Sequence, residues 1–545
     1  MLFQCLKTLI PAAILVSASA LLAQGGADYK IRILATADTR AEVLPQDTYT
    51  MSSANIGWAR LASAVRAEKA KGGATLLVDA GNALQGSPLA YIQNKMHPGA
   101  PNAIIEIMNG LGYGAMVPGG RDFDFGTPAL KSAAAQAGFP FVAANLLDSA
   151  GNTLFAPYAK VTLDGVSIAL LGLSVPPPHS AMNAQDAPAF VVRDTIETAN
   201  EWVPRLKNKE KADLVIVLLN AGQVGKRTAP INENAATSLL DGVSGIDAVV
   251  VSQPRRAATS SYNGVPIVQP SAYGQSLASI TFTFQRQGKQ WKLKTSEPAN
   301  IPLDQYLTLD SAVMQTTDAL RQETEDYLNT FATNLGTDLD GRWSTVEPTA
   351  LLQLMHNVQR KATGAQLSAT PSPGAHIFVQ RGATSVRQFF ALAPHESRVA
   401  KIRVTGAQLR AYLEHAATYF NYSYLPELIN KSVPLENYDI VGGCSYALDI
   451  SRPPGKRVVG LKCGNVPVED SQVFTMAISS KRLAGEGGYM DAIGFNGRAE
   501  LVTKETLRNL LLELVLAAPS LNIATIENWR TIPFLDRNRV LEAYR

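Results

Sequence analysis

Val117-Pro-Gly-Gly-Arg-Asp-Phe-Asp-Phe-Gly126 is the stretch on which the fold turns. It follows a short apolar run, Tyr113 to Val117, and sets glycines, an arginine and two aspartates into one turn. Four other apolar runs break off in the same way. Ile31–Ala35 leads to Asp38 and Arg40, and Thr75–Val78 leads to Asp79 and Asn82. Leu214–Leu219 leads to Asn220, and Ala248–Val251 leads to Gln253 and Arg255. In open α/β sheets the carboxyl ends of the strands line the ligand crevice, so these polar clusters together predict one shared crevice. Taken singly, each reads as an ordinary loop.

Residues 30 to 295 alternate short strands with Ala-rich helical segments, Gly57–Lys71 and Thr127–Ala137 among them, which argues for α/β layers. Asp164-Gly165 inside Val161–Ser174 is a hairpin signal, so mixed sheets are expected. Gly264–Leu293 reads as further strands with a second hairpin near Gln287-Gly288. Asp310 then caps a helix with Val313, Leu320, Tyr327 and Phe331 at helical spacing. Gly336 and the turn at Asp338–Arg342 open a second domain, whose long helix is placed at Val404–Phe420 with Thr405 near its start. The division is therefore 28–300, a helical linker at 301–336, and 337–545.

The chain has 545 residues, 46% hydrophobic and 17% charged, with a formal net charge of +3. That length predicts two or three domains, and the charge gives no general attraction to nucleic acid or membrane. Met1 to Ala23 reads as a secretory leader (1–23): Lys7 supplies the basic end, Leu9 to Leu22 the apolar segment, and Ala18-Ser19-Ala20 or Ala23 the cleavage point. The run is short and no second one follows, so a soluble exported protein, periplasmic or secreted, is expected. Only Cys444 and Cys463 then remain, ten and nine residues from Pro454 on the two arms of a hairpin closed by Pro453-Pro454-Gly455. An oxidising compartment lets them pair.

The layout resembles the secreted two-domain 5'-nucleotidases, whose N-terminal half is a calcineurin-like metallophosphoesterase. The likeness runs from Tyr29 to Pro533. It rests on Gly119–Asp124 (family G-N-H-E-F-D), Asp79-Ala80-Gly81-Asn82 (family D-x-G-D), Val404-Thr-Gly-Ala-Gln-Leu409 with Leu413-Glu-His415, Tyr446–Val458, and Gly485-Glu-Gly-Gly-Tyr489 (family G-G-D-G-Y). The resemblance implies a four-layer α/β sandwich with mixed sheets, a linker helix and a second α/β domain. It also implies two divalent metals that clamp the phosphate and generate the attacking hydroxide.

The ligand positions do not follow. The first D-x-H reads Asp38-Thr39-Arg40, the bridging aspartate is Asn82, and the asparagine of G-N-H-E is Gly120. The next histidine is Asn220, and the G-H-x-H pair is Ser252-Gln253-Pro254-Arg255. Of these seven positions only Asp38 keeps the family residue. The catalytic histidine is Arg121, with its partner kept as Asp124. His97 and His179 stand away from the motifs and read as surface or packing residues. A guanidinium keeps its proton and has no lone pair for a metal, so Arg40, Arg121 and Arg255 bring positive charge to where cations would sit. On the second domain, the positions of the phosphate-gripping arginine, the two base-stacking phenylalanines and the ribose-binding aspartate are His376, His395, Lys481 and Gly487. Glu486 stands beside the lost aspartate.

The expected function is therefore that of a pseudoenzyme without metal cofactor, binding a small anion or phosphorylated molecule through Arg40, Arg121, Arg255, Asn82, Asn220, Gln253, His376, His395 and Lys481. Internal pairing of the arginines with Asp38, Asp79 and Asp124 is the plainer outcome for the same residues. Two other readings stand beside it. One is an active phosphoric-ester hydrolase holding Mg²⁺ or Ca²⁺ through Asp38, Asp79, Asn82 and Asp124. The other is a protein-interaction scaffold with a drifting crevice.

Overall fold

The computed structural model describes residues 28–175, 190–223, 236–253, 256–288, 290–372, 374, 377–535 and 537. The leader-like segment, His179, Arg255 and His376 lie outside the described residues, as does the side chain of Gln253.

In the first half two sheets face each other. Tyr29–Thr36 pairs parallel with Ala74–Asp79 and antiparallel with Ser276–Gln287; Gln290–Pro302 and Tyr113–Met116 form the edges. The second sheet runs Ala258–Tyr262, Val265–Gln269, Ala248–Gln253, Leu214–Gly222, Val166–Leu173, Tyr158–Leu163. Strand alternation assigns the layers: Ile31, Ile33 and Ala35 point between the sheets with Leu170, Ile216 and Val250, whereas Leu34 faces the helices. Trp58–Ala70 and Ala103–Leu111 cover the first sheet, and Thr195–Asn208 and Ala236–Gly242 cover the second. Strands covered on both faces are apolar throughout, which is why Leu214–Leu219 is an unbroken buried run. The result is a four-layer αββα sandwich with mixed sheets.

The Asp164-Gly165 turn has φ of 47° and 87°, the left-handed pair that a two-residue hairpin requires. Two polar residues placed beyond strands are instead within them: Asn220 belongs to Leu214–Gly222 and Gln253 to Ala248–Gln253. Pairing of Gly222 with Gln253 across an irregularity extends both strands past their apolar runs.

Asp310 caps the helix Ser311–Asn329 through the Val313 N–H at 3.1 Å. Phe331, expected on that helix, instead opens the strand Phe331–Leu335, which pairs with Gly382–Ser385 and Ser520–Leu521. In the second half a sheet runs Asp439–Gly442, Leu367–Pro371, Val473–Ser479, Arg398–Thr405, Leu501–Thr506. The helix expected at Val404–Phe420 is shorter, Gly406–Ala416, because Val404 belongs to Arg398–Thr405 and Thr405 forms a capping box with Gln408. Ala417–Tyr419 continues it as a tighter turn.

The two halves share a core. Tyr91 and Ile92 of the first cluster with Leu351, Phe390 and Leu511 of the second. The Arg387 guanidinium, itself paired with Glu325, donates to the Thr48 carbonyl at 2.6 Å. Among the described residues no helix is long and apolar enough to cross a membrane.

The hairpin of Ser445–Asp449 and Val458–Cys463 sets Cys444 against Cys463 at a Cα separation of 4.3 Å, close enough for a disulfide. Thiol titration of the unfolded, unreduced mature protein should find no free thiol; two free thiols would contradict the pairing. His356 gives a second prediction. It is buried against Gly442 and bonded to Ser368 Oγ at 2.7 Å, and burial pushes its pKa from 6.5 down to about 4. The unfolded chain therefore takes up this proton first. The contribution is complete above pH 6.5 and is lost as pH falls to about 4; the loss should approach about 3 kcal/mol. Denaturant unfolding of His356→Asn across this range should show a correspondingly flatter acid limb.

Candidate functional site

The crevice forms where the strand ends of both sheets meet. Asp38 and Arg40 follow the first strand with left-handed φ of 54° and 56°, and Asn82 follows the next strand at 62°. Side chains rarely adopt this backbone, and here it is held by cross-loop bonds. The Asp38 N–H donates to Gly81 O at 2.8 Å, the Arg40 N–H to Asn82 O at 3.0 Å, and the Tyr273 N–H to Asp38 O at 2.8 Å. Three loops are thus laced together under one point.

At that point sits a buried ion pair. Arg40 Nε donates to Asp38 Oδ1 at 3.0 Å and Nη2 to Oδ2 at 2.8 Å, with side chains 8% and 2% exposed. Nη1 donates to the Tyr273 hydroxyl at 2.8 Å, and Cζ lies 4.8 Å from that ring's centroid. Against the desolvation of burial, Asp38 and then Tyr273 hold Arg40 above its ordinary pKa. The fork geometry engages both carboxylate oxygens.

The neighbouring polar groups are also engaged. Asn82 Oδ1 accepts the Arg121 N–H at 2.9 Å. Asn220 Oδ1 accepts the Gly120 N–H at 3.2 Å, while Nδ2 donates to Ala80 O at 2.8 Å and Ser252 Oγ at 2.7 Å. Asp122 receives the N–H groups of Asn82, Leu84 and Gly119 at 2.8, 2.8 and 2.7 Å, fixing the glycine-rich turn. Gly119 has no alternative there, because a Cβ would lie 2.5 Å from Asn220 Nδ2. Asp79 accepts from Thr36 Oγ1 at 2.6 Å and the Gly81 N–H at 2.7 Å, and burial pushes it up to about 8, so it is mainly neutral near neutral pH.

Two divalent metals would need free oxygen or imidazole donors converging here. The donors present do not fit. Asp38 has spent both oxygens on Arg40, the Asn82 and Asn220 oxygens accept backbone N–H groups, and Gly120 has no side chain. Among the described residues no cluster of three His, Cys, Asp or Glu side chains could hold a metal ion. The Arg40 head group occupies the ground instead.

Arg121 points away from this point toward the second half. Its Nη1 lies 3.2 Å from His395 Nδ1 and 3.5 Å from Gln85 Oε1. Burial, then Arg40, lowers its pKa. Burial also raises Asp124, against the pull of Lys481 and Arg121, and lowers Lys481. The crevice therefore brings Asp38, Arg40, Asn82, Arg121 and Asn220 together, with His395, Asp124 and Lys481 along its interdomain side. Arg40 does not converge with Arg121 on a shared empty point, because Asp38 has already taken it. Gly487 belongs to a turn at φ 75°, where a Cβ would crowd Arg482 Nη1 and Asn437 Oδ1 at 2.8 Å. His97 is at the surface, bonded to Glu323 at 2.8 Å. Sequence reading missed Tyr273, which follows the strand Val265–Gln269 and so satisfies the same strand-end rule, and Arg508 and Glu396, whose ion pair is buried in the interdomain seam.

This arrangement is the two-domain 5'-nucleotidase fold, with a calcineurin-like first half. Residues 328–493 match the family described as 5'-nucleotidase, C-terminal domain. A putative 5'-nucleotidase from Staphylococcus aureus, solved with alpha-ketoglutarate, superposes with a TM-score of 0.79 at 18% identity, over 92% of this chain and 99% of that one. The calcineurin-like phosphoesterase YfkN of Bacillus subtilis aligns at 27% identity and TM-score 0.50, over 55% of this chain and 99% of that structure. Sequence relatives include nucleotide phosphoesterases. The trifunctional nucleotide phosphoesterase YfkN is 25% identical over 94% of this chain but only 40% of its own length. The Yersinia enterocolitica 2',3'-cyclic-nucleotide 2'-phosphodiesterase/3'-nucleotidase is 25% identical over 83% of this chain and 80% of its own.

Arg40→Ala would leave Asp38 buried and alone, so denaturant unfolding should show a loss of about 3–5 kcal/mol. Combining Asp38→Leu with Arg40→Met should recover most of it. Full stability in Arg40→Ala would show that the pair is not a structural element.

Proposed function

We propose that this chain is an exported 5'-nucleotidase-like protein that has lost its di-metal centre, does not hydrolyse phosphate esters and binds a small anion in the interdomain cleft. One observation carries the reading: the bidentate Arg40–Asp38 pair occupies the position where a metal ligand pair belongs in the family, and uses both oxygens of the one carboxylate kept there. A fixed cation can hold an anion, but it cannot lower the pKa of a bound water as a metal does. Arg121, in the place of the family's catalytic histidine, does not release its proton near neutral pH and so cannot serve as a general acid. The leader-like Met1–Ala23 and the Cys444–Cys463 pair support export. In this reading 28–300 and 337–545 are the two domains, joined through 301–336.

The names of the relatives favour the second reading, an active phosphoesterase with a rearranged site. Its donors would be Asp38, Asp79, Asn82 and Asp124. Three of these are committed to other bonds, and Asp79 is mainly neutral. Asp124 alone is open.

Purified protein incubated with Mn²⁺, Mg²⁺ or Zn²⁺ and desalted should carry less than stoichiometric metal by elemental analysis. It should release no phosphate from 5'-, 3'- or 2',3'-cyclic nucleotides above the buffer rate. Metal-dependent turnover that disappears in Asp38→Ala would contradict the proposal.

A further inference from the structure

The joint between the halves is made of three pieces, and two buried arginines of the second half sit where all three meet. Arg387, on the helix Val386–Leu392, has a side chain 8% exposed. Its Nη1 donates to the Thr48 carbonyl of the first half at 2.6 Å. Its Nη2 donates to Glu325 Oε2 at 2.6 Å and Asn329 Oδ1 at 3.2 Å, both on the linking helix Ser311–Asn329. Arg508, on the helix Leu507–Leu516, is 1% exposed and paired with Glu396. Its guanidinium lies 4.5 Å from the ring centroid of Tyr91 in the first half and 4.3 Å from that of Phe390 in the second. Tyr327 of the linking helix completes a ring cluster with these two, its centroid 6.2 Å from Tyr91 and 6.5 Å from Phe390.

Such a joint does not yield in parts. Turning one half on the other would draw Tyr91 off Arg508 and Phe390, break the 3.0 Å bond from Tyr91 OH to Asn509 Oδ1, and pull the Thr48 carbonyl from Arg387. Close-packed cores pass between discrete arrangements rather than bending continuously, and a buried cation stripped of a partner is costly. The connection offers no slack either. The linking helix contains neither glycine nor proline, and only Thr330 separates it from the strand Phe331–Leu335. The Thr330 carbonyl itself accepts the Val386 N–H at 2.9 Å. At its start the helix is held to the first half by Arg66–Asp310 at 2.5 Å and by Val313 in that core; at its end Leu328 is buried in the core shared with the second half. A hinge needs a few residues able to absorb a large φ/ψ change, and none of these is placed to do so.

We infer that the two halves and the linking helix move as one rigid body, locked by Arg387 and Arg508, so that the crevice between them keeps a single width and admits a ligand without rotation of one half on the other. Relative motion is the ordinary expectation for two domains joined through a modest polar interface. Here the interface is a continuous apolar core, and its two buried cations are each satisfied only while all three pieces stay together. The lock is independent of whether the crevice hydrolyses or only binds. Thr48, Tyr91, Arg387, Phe390 and Arg508 all stand apart from the Asp38–Arg40 pair and the strand-end residues around it.

Electron–electron double resonance on the full mature chain reads the distance between the halves. Spin labels go on Lys131→Cys, in the helix Thr127–Gln136, and on Glu513→Cys, in Leu507–Leu516; both positions are exposed, and in unreduced protein Cys444 and Cys463 stay paired. One narrow distance is expected. Adding Tyr91→Ala and Arg387→Gln together, which leaves the Glu396–Arg508 pair intact, should spread it into a broad or two-peaked distribution. A label pair inside the first half, Lys131→Cys with Glu197→Cys, should stay narrow in the same background and so shows that the half remains folded. Scanning calorimetry of the unlabelled wild type needs no variant: one transition is expected, with equal calorimetric and van't Hoff enthalpies. A broad or two-peaked distribution in the otherwise wild-type chain, two separable unfolding transitions, or a distance left narrow by Tyr91→Ala with Arg387→Gln would each overturn the inference.

Discussion

Everything at the centre of the first half depends on one buried ion pair, Arg40 with Asp38. Burying two charges is costly, and the cost is offset only where geometry is close to ideal and further bonds satisfy the remaining donors. Both conditions hold: the fork is bidentate and Tyr273 takes the third guanidinium nitrogen. The pair also explains the backbone around it. Asp38, Arg40, Asn82 and Tyr273 all sit at positive φ, and each is fastened by a bond from a different loop. Strain of this kind persists where surroundings over-determine it. Here the Arg40 side chain, bonded to Asp38 and Tyr273, holds the loops in place.

The consequence reaches the second half. Because Arg40 is anchored inward, Arg121 is the guanidinium free to turn toward His395 and the seam. Polar groups thus line both the strand ends of the first half and the side that faces the second half. Tyr91, Ile92, Phe390 and Leu511 continue a single apolar core across that boundary, and Arg387 ties the Thr48 loop to the helix Val386–Leu392. A contact of this kind, apolar and cross-linked by a buried cation, resists relative motion more than a wet interface would.

Much of this was legible in the sequence. Continuous apolar runs such as Leu214–Leu219 announce strands covered on both faces, and Asp164-Gly165 announces its hairpin. The mirrored cysteines about Pro454 gave the right register. The polar character of the strand ends was legible too, because each apolar run breaks off into charged and amide residues. What was not legible is which partner each charged group chooses. Arg40 could have faced an empty crevice or Asp38, and only the left-handed turn between them brings the two head groups into line. Apolar patterning ends the strands short of Asn220 and Gln253 because strand length follows pairing rather than hydrophobicity, and it assigns Phe331 to a helix because spacing cannot see the strand that captures it. Arg508 and Glu396 carried no signal at all. A buried pair far apart in sequence looks like two ordinary surface residues until the fold closes over it.

Arg40 bidentate on Asp38 leaves no coordination site for a metal ion beside that carboxylate. Crystals grown with excess Mn²⁺ or Zn²⁺, with diffraction recorded on both sides of the metal's absorption edge, test it most directly. No anomalous peak is expected within bonding distance of Asp38, Asn82 or Asn220, and Arg40 should appear in density bidentate on Asp38. A peak coordinated by Asp38, with Arg40 displaced from it, would contradict it.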